Sequence, residues 1–290
     1  FGEDHFGGDD TDYDAVNRRF SVEVLSGTKT HWDEMITHSN TLLDSQVEYE
    51  QLDDYIDIDN LIDYMLVHQF MQTRDGPDDF GHNNMRLVRR NNPSGPWRAY
   101  AWDMEYSMID TAGTRDYTYP FPIYSSPRSG NRDITDSIAS VYLRLKDNNP
   151  EFQLRYADRA YRHLYHGGAL SEQGAAARFE SRAYEIESAV VAESARWGDH
   201  RRTAPYTRDG EWTSERNRLL TEFFPARPDH VVGQLRNNGL YPGIDPPVFS
   251  QHGGEVSAGF EVTLSASTGP IYYTVDGTDP HEAWTENILG

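Results

Sequence analysis

Residues 78–105 read DDFGHNNMRLVRRNNPSGPWRAYAWDME, and this stretch decides how the chain is to be understood. Two strand-like runs, NNMRLVRR and WRAYAWD, flank a turn rich in Asn, Pro and Gly, which is the pattern of a β-hairpin. Acids are depleted from strands, yet the second run ends on Asp103 and, two residues on, Glu105. If the turn is centred between Pro93 and Ser94, Arg90 faces Trp97 and Asn84 faces Asp103. Opposed residues share a face, with Cβ atoms about 4.5–5.5 Å apart. An amide oxygen and a carboxylate so placed can share one hard cation such as Mg²⁺, with Glu105 as a further oxygen ligand.

Working outward, the loop before the hairpin carries three acids, Asp75, Asp78 and Asp79, ahead of Asn83 and Asn84. In protein-kinase phosphoryl transfer a loop Asp receives the hydroxyl proton, and an Asn and an Asp hold the metal ions on the nucleotide phosphates. Loop acid, Asn, hairpin and strand-end acid stand here in that order. Asp79 has the five-residue spacing to Asn84, while Asp75 lies nearer the preceding helix. Each element also has a plain structural reading. The acids suit a solvated turn, Asn83 and Asn84 can satisfy turn backbone, and Asp103 can pair with Arg86 or Arg98. His82 reads as a loop hydrogen-bonder, since no second His stands at ligand spacing.

The chain of 290 residues carries 26 basic and 47 acidic side chains, a formal charge of −21. That balance repels phosphate backbones, so nucleic acid is excluded as a partner, and it leans toward a salty exterior. There is no cysteine, hence neither a disulfide framework nor a thiolate zinc site. No apolar run approaches the roughly 18 residues of a membrane span. The opening FGEDHFGGDDTDYD reads as the middle of a domain, which suggests a fragment.

Residues 1–54 read as acidic and loop-rich, with a strand at FSVEVLSG and a helix near HWDEMITHSNTLL. From Ile58, the residues Leu61, Ile62, Met65, Leu66 and Phe70 recur at helical spacing behind a cap at Asp57 or Asp59. Residues 107–150 form a long connection. Helices follow over EFQLRYADRAYRHLY, stopping at a Gly pair, from about Ser171 to Trp197, stopping at Gly198, and near RPDHVVGQLRNNG. LYPGIDPP reads as a linker, and FEVTLSAS and PIYYTVDG beyond it alternate like strands of a small sandwich.

The segments NLIDYMLVHQFMQTRDG, HNNMRLVRR, WRAYAWDMEYSM, ESARWGD and FFPARPDHVVGQLRNNGLYP, in that order, resemble the CotH (spore coat protein H) kinases, most of all their large secreted multidomain members. The resemblance runs from about Phe6 to Pro242. It implies an α+β, atypical protein-kinase-like domain over 1–243 that uses ATP and Mg²⁺ to phosphorylate Ser/Thr hydroxyls of secreted or envelope proteins. By motif it places the catalytic acid on Asp75, with Asp79 as rival. The metal- and nucleotide-binding groups fall on Asn84, with Asn83 adjacent, and on Asp103. The family's nucleotide-gripping strands lie upstream of this segment, and only two lysines occur, Lys29 and Lys146. The chain therefore reads as mainly a C-terminal lobe, with the N-terminal lobe missing. Residues 247–290 resemble, through GPIYYTVDGTDP, the Ig-like C-terminal module of chitobiases and β-hexosaminidases. That implies a truncated β-sandwich, a possible carbohydrate contact and a secreted or cell-surface location. The rival readings are an inactive kinase-like surface scaffold and a nucleotide-dependent modifier that is not a phosphotransferase.

Overall fold

A computed structural model describes residues 7–18, 21–41, 45–73, 84–105, 107–108 and 136–282. Its centre is a helix (α3, Ile58–Met71) that follows two shorter ones, α1 (Thr30–Asn40) and α2 (Gln46–Leu52). Asp57 caps α3, its side chain accepting from the Asn60 N–H at 2.8 Å. Nine of the fourteen α3 residues are buried, among them His68 and Gln69. A helix buried on nearly every side is the axis of a core, not a surface element.

Beside α3 lies α5 (Pro150–Leu164), preceded by α4 (Ile138–Asn148). An ion-pair ladder joins them. Arg155 reaches Asp53 (2.9 Å) and Asp59 (2.7 Å), Arg159 reaches Asp59 (2.6 Å) and Asp63, and His163 reaches Asp63 (3.1 Å). Partner numbers rise together, so the two helices run in the same direction. Burial alone would raise the Asp63 carboxyl, but bonds from His163 and Arg159 outweigh it and hold the group below its ordinary value.

The sheet has four antiparallel strands in the order β2–β1–β3–β4: β1 Tyr13–Arg18, β2 Val22–Ser26, β3 Met85–Arg90 and β4 Arg98–Tyr100. The hairpin, the strand within FSVEVLSG and the helices at 30–40 and 58–71 agree with the sequence reading. So does the capped helix α6 (Glu172–Trp197), with Ser171 as N-cap and Gly198 as C-cap. A helical run over residues 208–237 follows, ending in α8 (Phe224–Asn237) after the short α7 (Thr213–Arg218). The structure adds β1, a central strand within a segment that reads as loop, and helix α2. YDAVNR mixes polar and apolar residues on both faces, and all but Ala15 are buried because β2 and β3 flank it.

The expected C-terminal sandwich takes a different form in the described residues. Val248–Phe249 (β5) pairs with Leu264–Ser265 (β6), and PIYYTVDG forms no strand. No residue from 242 to 282 is buried, and Tyr273 and Val275 are 66% and 93% exposed. Two-residue strands offer no second sheet on which an apolar face could pack.

Candidate active site

The hairpin register differs from the expected one. Arg86 opposes Tyr100, Leu87 opposes Ala99 and Val88 opposes Arg98, so the ladder does not set Asn84 against Asp103. The turn closes between Asn92 and Pro93, one residue earlier than expected, and the chain at Trp97 makes up only half of that difference. Near the turn, Asn91 bridges Ser94, and the Gly95 N–H donates to the Arg90 carbonyl at 2.9 Å. Pro96 has no N–H, and Trp97 turns its backbone away from β3. Its N–H donates to the Tyr55 carbonyl (2.8 Å), and its carbonyl accepts from the Asp57 N–H (3.0 Å). The return strand thus carries one extra residue, as in a bulge, and every later pair shifts by one. Trp97 itself is fully buried, edge-on to Trp32 with ring centroids 5.7 Å apart.

Asn84 lies immediately before β3 and is buried; Asp103 lies three residues past β4 and is exposed, as is Glu105. All three therefore sit at the open end of the hairpin, opposite the turn. Asp103 adopts a left-handed backbone (φ 58°), which re-aims its side chain relative to a continuing strand. Asp75, Asp79 and Asn83 lie outside the described residues. Among the described residues, neither the Asp103 nor the Glu105 carboxylate makes an ion pair. The expected structural partners are engaged elsewhere: Arg98 pairs with Asp57 at 3.0 Å, and the Arg86 guanidinium lies 5.4 Å from the Trp102 ring centroid.

Among the described residues, three of the four non-glycine residues with positive φ border this region: Gln72, Asp103 and Met108. Gln72 ends α3, and the Met108 N–H donates to the Met71 carbonyl at 2.8 Å. The chain leaving Asp103 is thereby brought back against the end of α3, where the loop carrying Asp75 begins. Such backbone conformations cluster where surrounding structure holds a functional geometry.

Buried side chains with no part in the sequence reading hold that helix end. Arg227 of α8 is fully buried and donates to the carbonyls of Phe70 (2.8 Å) and Gln69 in the last turn of the helix, the second of which also accepts from the Gln72 N–H at 3.3 Å. Burial pulls its guanidinium down to about 9, so it remains charged at neutral pH. The Gln69 side chain accepts from the Tyr156 hydroxyl (2.8 Å) and donates to that of Tyr142 (3.2 Å). Arg218 donates to the Met108 carbonyl (3.0 Å) while bonded to Glu215. The one sequence signal was an arginine between prolines in an apolar helical run, FFPARPDHVV. His68 is no candidate base: burial pushes its imidazole down to about 3 and keeps it neutral in the core.

The CotH kinase protein family matches residues 3–231. The chain belongs to the CotH kinase family. The match takes in the hairpin, both flanks of the acidic loop and most of α8, and stops before the C-terminal segment. Kinase-like chemistry is the class of function this membership indicates. No curated protein and no solved structure matches the chain significantly.

Proposed function

We propose that this CotH chain is an ATP- and Mg²⁺-dependent kinase acting on Ser/Thr hydroxyls of secreted or envelope proteins. The observation that carries the reading is the open end of the hairpin. Asn84, Asp103 and Glu105 lie along the chain there, and among the described residues the two carboxylates are not engaged by arginines. The donor set is all oxygen, which fits a hard cation such as Mg²⁺. Bound there, the ion would supply charge neutralisation for the phosphate oxygens. The protein's own groups do the rest. Asn84 and Asp103 hold the ion, and Glu105 adds a carboxylate. The Asp75 carboxylate takes the proton from the substrate hydroxyl, with Asp79 as rival, and Asn83 assists at the nucleotide.

The domain assignment behind this proposal is a kinase-like unit over 1–243 and an Ig-type, carbohydrate-facing module over 247–290. Secretion suits the charge of −21. Among the described residues no helix is long and apolar enough to cross a membrane.

One observation favours a second reading, an inactive kinase-like surface scaffold. The only lysines, Lys29 and Lys146, pair locally with Asp33 and Asp147, whereas kinases use a lysine on the nucleotide phosphates. The deciding assay is Mg²⁺-dependent transfer of labelled phosphate from ATP to a Ser-containing protein by the full-length protein. Transfer that disappears in Asp103→Ala supports the kinase. No transfer by the intact protein supports the scaffold. Asp75→Asn should cost far more turnover than Asp79→Asn, and the reverse order would reassign the base.

A further inference from the structure

The C-terminal end of α6 holds an aromatic recess that draws on none of the residues assigned to phosphate transfer. Glu193, Trp197, His200, Arg201 and Tyr206 line a concavity of about 460 Å³. Trp197 and Tyr206 are 49% and 50% exposed. Their placement is built into the fold. The Tyr206 N–H donates to the Gly198 carbonyl at 2.9 Å, returning the loop to the helix end. A Cβ on Gly198 would lie 2.5 Å from the Tyr206 carbonyl oxygen, so only glycine permits this approach.

Each ring is also backed. The Arg202 guanidinium lies 3.8 Å from the Tyr206 ring centroid and is itself held by Glu211 and the Pro205 carbonyl. The Arg196 guanidinium lies 5.0 Å from the Trp197 centroid, and His200 meets that ring edge-on at 6.0 Å. Among the described residues, Glu193, Arg196 and Arg201 make no ion pair. Two pre-set aromatic surfaces thus stand beside an unpaired carboxylate and unpaired cations.

We propose that this recess binds a pyranose unit of a polysaccharide. The C–H face of a pyranose packs on an aromatic ring, while its hydroxyls each donate and accept, which suits a mixed rim of Glu193, His200 and Arg201. An extended peptide would instead call for an apolar groove or an open sheet edge, and this helix end presents neither. A neutral glycan and a polyuronate share the ring chemistry. Arg201 separates them, because a guanidinium adds a bidentate bond only to a carboxylate.

The test is affinity electrophoresis of the intact protein through gels containing a soluble neutral β-glucan or a polyuronate. Retardation is expected in at least one gel. It should weaken at least tenfold in Trp197→Ala and at least threefold in Tyr206→Ala. It should be unchanged in Tyr184→Ala, an 80%-exposed control on the same helix. Arg201→Gln should lose retardation by polyuronate only, if that is the ligand. If Trp197→Ala misfolds by circular dichroism, Tyr206→Ala on the neighbouring loop carries the same decision. No retardation in either gel, or equal retardation of wild type and both aromatic variants, overturns the proposal. Phosphate transfer should be untouched by these substitutions, so its loss or survival does not bear on the sugar site.

Discussion

The two ends of the β3–β4 hairpin use charge in opposite ways. At the turn end, Arg89 is buried and fully engaged. It donates to Asp14 (3.0 Å), Asn91 (2.8 Å), Ser94 (2.7 Å) and the Gly95 carbonyl (3.1 Å). Asp14, also buried, accepts in addition from Asn91 (3.1 Å) and from the Thr28 N–H (2.7 Å). Gly27 lets that loop come close, since a Cβ there would lie 2.1 Å from an Asp14 carboxylate oxygen. At the open end Asp103 and Glu105 are exposed and, among the described residues, engaged in no ion pair, and the backbone at Asp103 is left-handed. Charged groups of the same hairpin thus divide into those whose partners are the fold itself and those that, among the described residues, have no ionic partner.

The comparison breaks most visibly at the turn end. Arg89→Ala leaves the Asp14 carboxylate buried without its cation, and should destabilise by about 3–5 kcal/mol, read from chemical denaturation. A change under about 1 kcal/mol would show that this pair is structurally idle. At the open end the signs reverse. Asp103→Ala should cost no more than about 1 kcal/mol, because the exposed side chain packs nothing and only the left-handed backbone disfavours Ala. Phosphate transfer should nevertheless fall by about 10²–10³-fold, the scale of losing a fixed charge at a reacting centre. A destabilised Asp103→Ala with normal turnover would place the two ends in the same class.

A third measurement concerns the core between them. The folded value of His68, about 3, lies below the ordinary imidazole value near 6.5. The unfolded chain therefore binds a proton that the folded one refuses over this interval. The stabilisation is complete above pH 6.5 and is lost as pH falls toward 3, with a slope of about 1.4 kcal/mol per pH unit. His68→Leu should flatten that slope by about one proton, which denaturation curves at pH 7, 6 and 5 would show. The smallest effect is expected in the C-terminal segment. Val275→Ser should change stability by less than about 0.5 kcal/mol, since the side chain is 93% exposed. A larger loss would mean that residues 244–282 are packed more firmly than their exposure indicates.

Local signals and long-range packing divide what could be read in advance. The helix over 58–71 was legible because its apolar spacing and the Asp57 cap are properties of neighbouring residues, and so was α6 between Ser171 and Gly198. The hairpin was legible from its turn residues, and the metal chemistry read from the acids and asparagine around it stands as a proposal. Its register was not, because the turn closes one residue earlier than its residues suggest and Trp97, drawn off by Tyr55 and Asp57 about forty residues earlier in the chain, offsets only part of that shift. Strand β1 carries no clean alternation, and only pairing with β2 on one side and β3 on the other makes it the sheet's interior. The same holds for the grip of Arg227 on α3, a hydrogen bond across 157 residues of sequence. The sequence alone determined which groups the protein has for its chemistry and which local segments form helices or turns, since both depend on residues near one another. The tertiary structure decided which of those charges are neutralised inside the fold and which face outward, because burial and partnership come from elements that meet only when the whole domain packs.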